Sequence, residues 1–219
     1  MDIHQMKREV SLLTIQDQLT WAYKLFKDKI VFSTSFSAED MVILDAICAL
    51  NIPITLITLD TGRLHKETYE FIEKVKMRYT IKLNVYYPDH NEVEELTTKK
   101  GFFSFRESIQ NRKECCKIRK VNSLRRALKG KELWITGLRR SQSVTREKME
   151  IIERSDQFEL WKLNPLSEWS HDEVWEYIKK NSVLYNPLHD KGFPSIGCEP
   201  CTREVRPGED IRGGRKFRE

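Results

Sequence analysis

Four of the five cysteines of this 219-residue chain stand in two tight pairs about eighty residues apart, Cys115 and Cys116 in KECCKIRK and Cys198 and Cys201 in IGCEPC. Thiolates gathered in this way hold a tetrahedral zinc or an iron-sulfur cluster in a reducing compartment. The two segments are therefore expected to close one metal site. Zinc knuckles normally leave two to four residues between paired ligands. Neighbours on a helix diverge by about 100°, which suits two corners of a cluster better than two vertices around one small ion. Lys113, Lys117, Arg119 and Lys120 surround the first pair, where cations favour ionised thiols and offset the charge of a thiolate-bound group. Chemistry alone favours the cluster and leaves zinc open.

A second kind of chemistry lies in three short segments: SFSAED (Ser35 to Asp40), LDTG (Leu59 to Gly62) and GLRRSQSVTR (Gly137 to Arg146). The first offers hydroxyls and backbone N–H groups to an anion at a helix start, without the Gly-Lys-Ser/Thr of a Walker A loop. Asp60 and Thr61 of the second are candidates for a ribose or a base edge. Arg139, Arg140 and Arg146 of the third present planar forks of donors that suit phosphate or another oxyanion. Taken singly, Ser37 can also be read as a simple helix cap, and the arginines equally well as solvated surface. Their recurrence at successive strand ends is what points to a ligand. Cys48 falls with Met41 and Leu44 on an apolar helix face, and His65 and His171 fall near helix starts, so none of these is expected to act chemically.

The elements that must position these groups follow from hydrophobic periodicity. Thr14 to Lys29 reads as an amphipathic helix. Strands are expected at 30–35, 54–59, 81–87 and 132–136, with helices at 38–50, 63–79, 90–100 and 114–128 between them. One or two edge strands are expected in 150–163, and Ser170 with Glu173 forms a capping box that opens a helix over 171–180. Alternation of strands and helices implies right-handed crossovers and a mostly parallel sheet, an α/β fold with helices on both faces and its ligand beyond the carboxyl ends of the strands. The chain divides into an N-terminal helical segment (1–29), a nucleotide-binding α/β domain (30–186) and a Pro- and Gly-rich segment (187–219) that supplies two cysteines. A net charge of +5 suits an anionic ligand but does not by itself argue for nucleic acid. With no apolar run of membrane-spanning length and no secretory pattern at the start, a cytoplasmic location is expected.

VFSTSFSAED, LDTG, ECCKIRKV, GLRRSQSVTR and GCEPCTREV, in this order from about Val31 to Arg215, resemble the sulfonucleotide reductases, and most closely the assimilatory adenylyl-sulfate (APS) reductases. The resemblance implies a Rossmann-like adenine nucleotide α-hydrolase fold. It also implies a 4Fe-4S cluster on Cys115, Cys116, Cys198 and Cys201, and reduction of APS to sulfite and AMP with thioredoxin or a similar dithiol as partner. It assigns Ser35, Phe36, Ser37, Glu39 and Asp40 to the phosphosulfate loop, Leu59, Asp60, Thr61 and Gly62 to the nucleotide, and Gly137, Arg139, Arg140, Gln142 and Arg146 to the arginine loop. Arg119 and Lys120 lie beside the substrate in that assignment, Lys120 between it and the cluster, with Arg212 and Arg215 closing over the nucleotide. A homo-oligomer is consistent with this reading.

The family's nucleophilic cysteine belongs to a K-[ET]-C-G-L-H motif beyond the segment matching Gly208 to Arg215, whereas this sequence ends in RKFRE at Glu219. Four cysteines are assigned to the cluster and Cys48 to the core. The sequence is therefore expected to lack its nucleophile and, unaided, to turn over poorly. Three other functions compete: PAPS reduction, sulfur transfer to nucleic acid on the same core, and nucleic-acid binding by a metal-stapled basic module.

Overall fold

A computed structural model describes residues 3–143, 146–206, 208–209 and 213–215. Two helices open the chain, α1 (Ile3–Ser11) and α2 (Ile15–Phe26). The Thr14 hydroxyl caps α2 by accepting from the Asp17 backbone N–H at 3.2 Å. The first helix was not legible from periodicity; it buries only Met6 and Val10. Six strands follow: β1 (Ile30–Ser33), β2 (Thr55–Leu59), β3 (Leu83–Tyr86), β4 (Leu133–Ile135), β5 (Ile152–Ser155) and β6 (Leu160–Leu163). The helices that connect them are α3 (Ala38–Leu50), α4 (Lys66–Tyr79), α5 (His90–Lys100), α6 (Ile109–Cys116) and α7 (Asn122–Ala127), and α8 (His171–Lys180) comes after β6.

The sheet runs β3-β2-β1-β4-β6-β5, parallel throughout except for the antiparallel β5 edge. Strand pleating divides β1 between two cores. Ile30 and Phe32 join the larger one with α2, α3, α4 and α8, while Val31 joins Ile57, Ala127, Leu128 and Leu160 on the opposite face. From β1 the chain winds outward to β3, then returns to β4 on the other side of β1. This makes a topological switch point between β1 and β4, where open α/β sheets bind ligands. Among the described residues no helix is long and apolar enough to cross a membrane.

One expected element is corrected. The basic helix foreseen over 114–128 starts earlier, at Ile109, and is not α-helical throughout: α6 ends at Cys116, a π-helical turn spans Lys117–Val121, and α7 continues from Asn122. Wider i→i+5 turns of this kind recur at functional sites. Here the turn carries Arg119 inward and leaves Cys116 exposed.

Candidate active site

A cleft of about 330 Å³ opens at the switch point, walled by the segments that follow β1, β2 and β4 and by Pro194 to Gly197 from the C-terminal segment. Its volume falls within the range of small-molecule sites. Of the residues singled out in the sequence, Ser35, Phe36, Ser37, Glu39, Asp40, Leu59, Thr61, Lys120, Gly137, Gln142, Arg146 and Arg215 line it. Arg212 lies outside the described residues.

The β1 loop owes its shape to Phe36 and Asp40. Phe36 adopts φ +59°, a left-handed conformation unusual for a bulky residue. It is held there by burial of its ring edge-on to Phe71 and by donation of its N–H to Thr34 Oγ1 at 2.9 Å. The exposed Ser35 is thereby turned into the cleft. Ser37 occupies the N-cap of α3 but its hydroxyl makes no capping bond; helix capping alone does not account for it. Asp40 accepts from the Ser35 N–H at 2.6 Å and from the Ser35 hydroxyl at 2.7 Å. Burial pushes its carboxyl from 3.8 up to about 6, against the pull of these bonds. A folded value above the unfolded one means that ionisation opposes folding. That penalty is absent below pH 3.8 and fully present above about pH 6.

Opposite this loop, Gly137 leaves β4 in contact with Asp40. A Cβ on Gly137 would lie 2.2 Å from Asp40 Oδ1 and 3.1 Å from the Asp40 backbone N. Gly137→Ala is therefore expected to push the two loops apart, with a stability loss of about 1–3 kcal/mol and loss of most anion affinity. Denaturant unfolding and nucleotide titration of the variant check this, and unchanged affinity would show that the loops are not coupled.

The arginine loop is divided between the cleft wall and the scaffold behind it. Arg139 and Arg140 do not line the cleft. Arg139 is 1% exposed; it pairs with Glu39 at 2.9 Å and donates to Ser141 Oγ at 2.6 Å and to the Trp169 carbonyl at 3.2 Å. Arg140 faces Glu168 at 2.7 Å and Glu150 at 3.8 Å. Both guanidiniums are thus engaged by carboxylates of their own fold. Only Arg146 of the three reaches the cleft wall, bonded to Gln142 Oε1, and Gln142 in turn donates to Glu39 at 2.8 Å. Asp60, Gly62 and Arg119 also lie off the wall. Asp60 shapes the β2 turn by accepting from the Gly62 N–H at 2.7 Å and the Tyr69 hydroxyl at 2.8 Å. Arg119 donates to the Thr61 carbonyl at 2.8 Å.

The two cysteine pairs come together. Cys115 feels Cys116 and Cys198, and Cys201 feels the other three and Lys120. Thr61 Oγ1 lies 3.2 Å from Cys198 Sγ, and the Glu199 N–H bonds the Arg63 carbonyl at 2.9 Å, so the β2 turn joins the thiols to the cleft. Burial pushes the Cys115 and Cys201 thiols up, and the nearby cations oppose it. Among the described residues no three His, Cys, Asp or Glu side chains stand arranged to hold a single metal ion. The set is four neighbouring thiols with Arg63, Arg119 and Lys120 around them. That chemistry fits a thiolate-ligated group of some size. Cys48 packs against the core, and burial pushes its thiol up to about 11, as its helix face predicted. His65 is the buried N-cap of α4, edge-on to Phe193, and His171 opens α8 with its ring against Trp175; neither lines the cleft.

Residues 29–204 match the family described as the phosphoadenosine phosphosulfate reductase domain. The chain belongs to that family. It is 46% identical over 188 residues to the adenosine 5'-phosphosulfate reductase of Burkholderia cepacia, covering 86% of this chain and 75% of the relative. It is 42% identical over 199 residues to that of a Geobacillus strain, covering 91% and 83%. The phosphoadenylyl-sulfate reductase of Candida auris, solved as a phosphate complex, superposes with a TM-score of 0.79 at 32% identity, covering 93% of this chain and 96% of that one. FMN adenylyltransferase of Candida glabrata shares the fold, at TM-score 0.62 and 17% identity, covering 99% of this chain and 76% of that one.

Several residues of this reductase-family cleft escaped the sequence reading. Ser33 and Trp134 line it from adjacent strands, with Trp134 Nε1 donating to Ser33 Oγ at 2.7 Å. Both sit at or near carboxyl ends of strands, the one signal that marked them. Pro194 to Gly197 form a wall because Arg215 packs over Gly197, donating to Ser195 Oγ at 2.9 Å and the Ile196 carbonyl at 2.7 Å. Arg63, beside three of the cysteines, follows directly on LDTG.

Proposed function

We propose that this chain reduces adenylyl sulfate to sulfite and AMP, with a 4Fe-4S cluster held by Cys115, Cys116, Cys198 and Cys201 and a thioredoxin-type dithiol as reductant. The observation that carries this reading is Lys120, which lines the cleft and also bears on the Cys201 thiol. One cation thus joins a nucleotide-sized cleft to a four-thiol centre. The names of the curated relatives supply the substrate, and the phosphate of the Candida auris complex is a fragment that APS contains.

The thiolates holding the cluster would sit among Arg63, Arg119 and Lys120. When bound, the cluster supplies a fixed charge distribution beside the sulfate and need pass no electron. The chain's own residues hold the phosphosulfate. The β1 loop offers the Ser35 and Ser37 hydroxyls, while Lys120, Arg146 and Arg215 line the cleft around the anion. A thiolate attacks the sulfate sulfur, the bond from that sulfur to the bridging oxygen breaks, and AMP leaves with the electron pair. Cations placed where charge develops favour that departure. A dithiol then attacks the S-sulfocysteine at its thiol sulfur, sulfite departs, and the second thiol closes a disulfide; both electrons come from the dithiol. None of the five cysteines of this sequence suits the attacking role, since four face one another at the centre and Cys48 is held protonated by burial. We assign the nucleophile to a thiol outside these 219 residues.

The test is titration with APS, competed by AMP, on anaerobically purified protein, alongside Lys120→Ala. We expect the variant to keep its iron and to bind APS about tenfold more weakly, the effect of losing one charge-assisted contact. Unchanged affinity would remove Lys120 from the site. Tighter binding of PAPS than of APS would instead favour the substrate named for the Candida auris relative.

A further inference from the structure

We infer that Asp40 is both the pin of the anion loop and its proton acceptor: one buried carboxylate holds Ser35 in place and takes up a proton when a strong-acid anion fills the cleft. The ligand in this inference rests on the APS reading; the choice of residue rests on geometry. Asp40 is 5% exposed. Its Oδ2 accepts both donors of Ser35, at 2.6 and 2.7 Å, and Oδ1 abuts Gly137 across the elbow between the β1 and β4 loops. While Asp40 is ionised, the Ser35 N–H and O–H are both engaged by its Oδ2. Once it is protonated, Oδ2–H becomes a donor, and the Ser35 hydroxyl proton is released to turn toward a ligand.

Charge acts in the same direction. The charged group that bears on Asp40 is Glu39, which raises its pKa and is itself paired with Arg139; the Ser35 and Ser37 bonds lower it. The cationic side chains of Lys120, Arg146 and Arg215 also line the cleft. His189, near Glu39, and His65, near Arg215, are both held below the usual imidazole range by burial. An anion brought into this cleft is a like charge to Asp40 and favours its neutral form. By linkage, protonation of Asp40 then favours the anion. Starting from about 6, Asp40 is poised to change its proton occupancy near neutral pH.

The experiment is calorimetric titration of the protein with APS, without any thiol, at pH 5.5–8 in two buffers of different ionisation enthalpy. Both ionised groups of APS are strong acids, so the ligand does not titrate in this range. If the anion raises Asp40 by one unit, uptake peaks at about half a proton near pH 6.5, and affinity falls about tenfold across the range. Asp40→Asn should abolish the uptake and flatten the pH dependence, although His65 and His189 are intact in it. Ser35→Ala removes a bond that lowers the pKa, and should move the uptake maximum to higher pH; this keeps the test open if Asp40→Asn does not fold. APS binding without proton uptake, or equal uptake in Asp40→Asn, overturns this inference alone. Failure to bind APS at any pH overturns it together with the proposed function.

Discussion

Cys198→Ser, purified without oxygen, is expected to fall from about four irons per chain to less than one, and to lose about 3 kcal/mol or more of stability, roughly 10 °C in Tm for a chain of this size. Two consequences of the fold make this effect large. Cys198 sits in the C-terminal segment, whose ties to the rest of the protein include Glu199 N–H to the Arg63 carbonyl at 2.9 Å, Thr61 to Cys198 itself at 3.2 Å, and Lys191 to Glu67 at 2.7 Å. Ligation of a shared group would be the strongest tie between that segment and the π-helical turn after α6. The same segment supplies Pro194 to Gly197 to the cleft wall, so nucleotide affinity should fall with the iron. Cys48→Ser is the matched control, since Cys48 lies on α3 against the core, and should keep its iron. A full iron complement in Cys198→Ser, by metal and labile-sulfide analysis, would refute the ligand set.

What the sequence discloses and what it conceals divide along a physical line. Helices with local signals are read to the residue. The Ser170–Glu173 capping box opens α8, with reciprocal bonds of 2.7 and 3.1 Å, and α3 and α5 have the expected bounds. The mostly parallel pairing of the sheet is legible, because alternation with helices forces parallel crossovers; the order of the strands is not. The cysteine pairs announce one another by type alone. Side-chain direction is not legible. Nothing near Arg139 in the chain shows that its partner is Glu39, one hundred residues earlier, so a dense run of guanidiniums reads as a ligand cradle when two of its three members brace the scaffold. Phe36 conceals its role for a similar reason. Its left-handed φ is the conformation that favours glycine, and only the tertiary burial of its ring, not any local propensity, fixes it. The π-helical turn, in which Arg119 bonds the Thr61 carbonyl at 2.8 Å, is likewise nothing that periodicity records.

The buried pairing of Arg139 with Glu39 carries the second large prediction. Arg139→Ala should destabilise the protein by about 3–5 kcal/mol, because it leaves a buried carboxylate without its partner. Glu39 is 6% exposed; it receives Arg139 Nε at 3.0 Å, Arg139 Nη2 at 2.9 Å and Gln142 Nε2 at 2.8 Å. Removing the guanidinium takes two of these three bonds and the whole countercharge. The effect should reach the cleft, because Gln142 and Arg146 hold their places on its wall through the same chain of contacts. A cycle with Glu39→Gln separates charge from packing. If the buried charge is what makes the single variant unstable, Arg139→Ala/Glu39→Gln should recover about half or more of the loss in urea unfolding. If the double variant is no more stable than Arg139→Ala, the loss comes from the cavity left by the long side chain and from the bonds to Ser141 and Trp169. Arg139 would then act as a packed strut in which the charge is incidental.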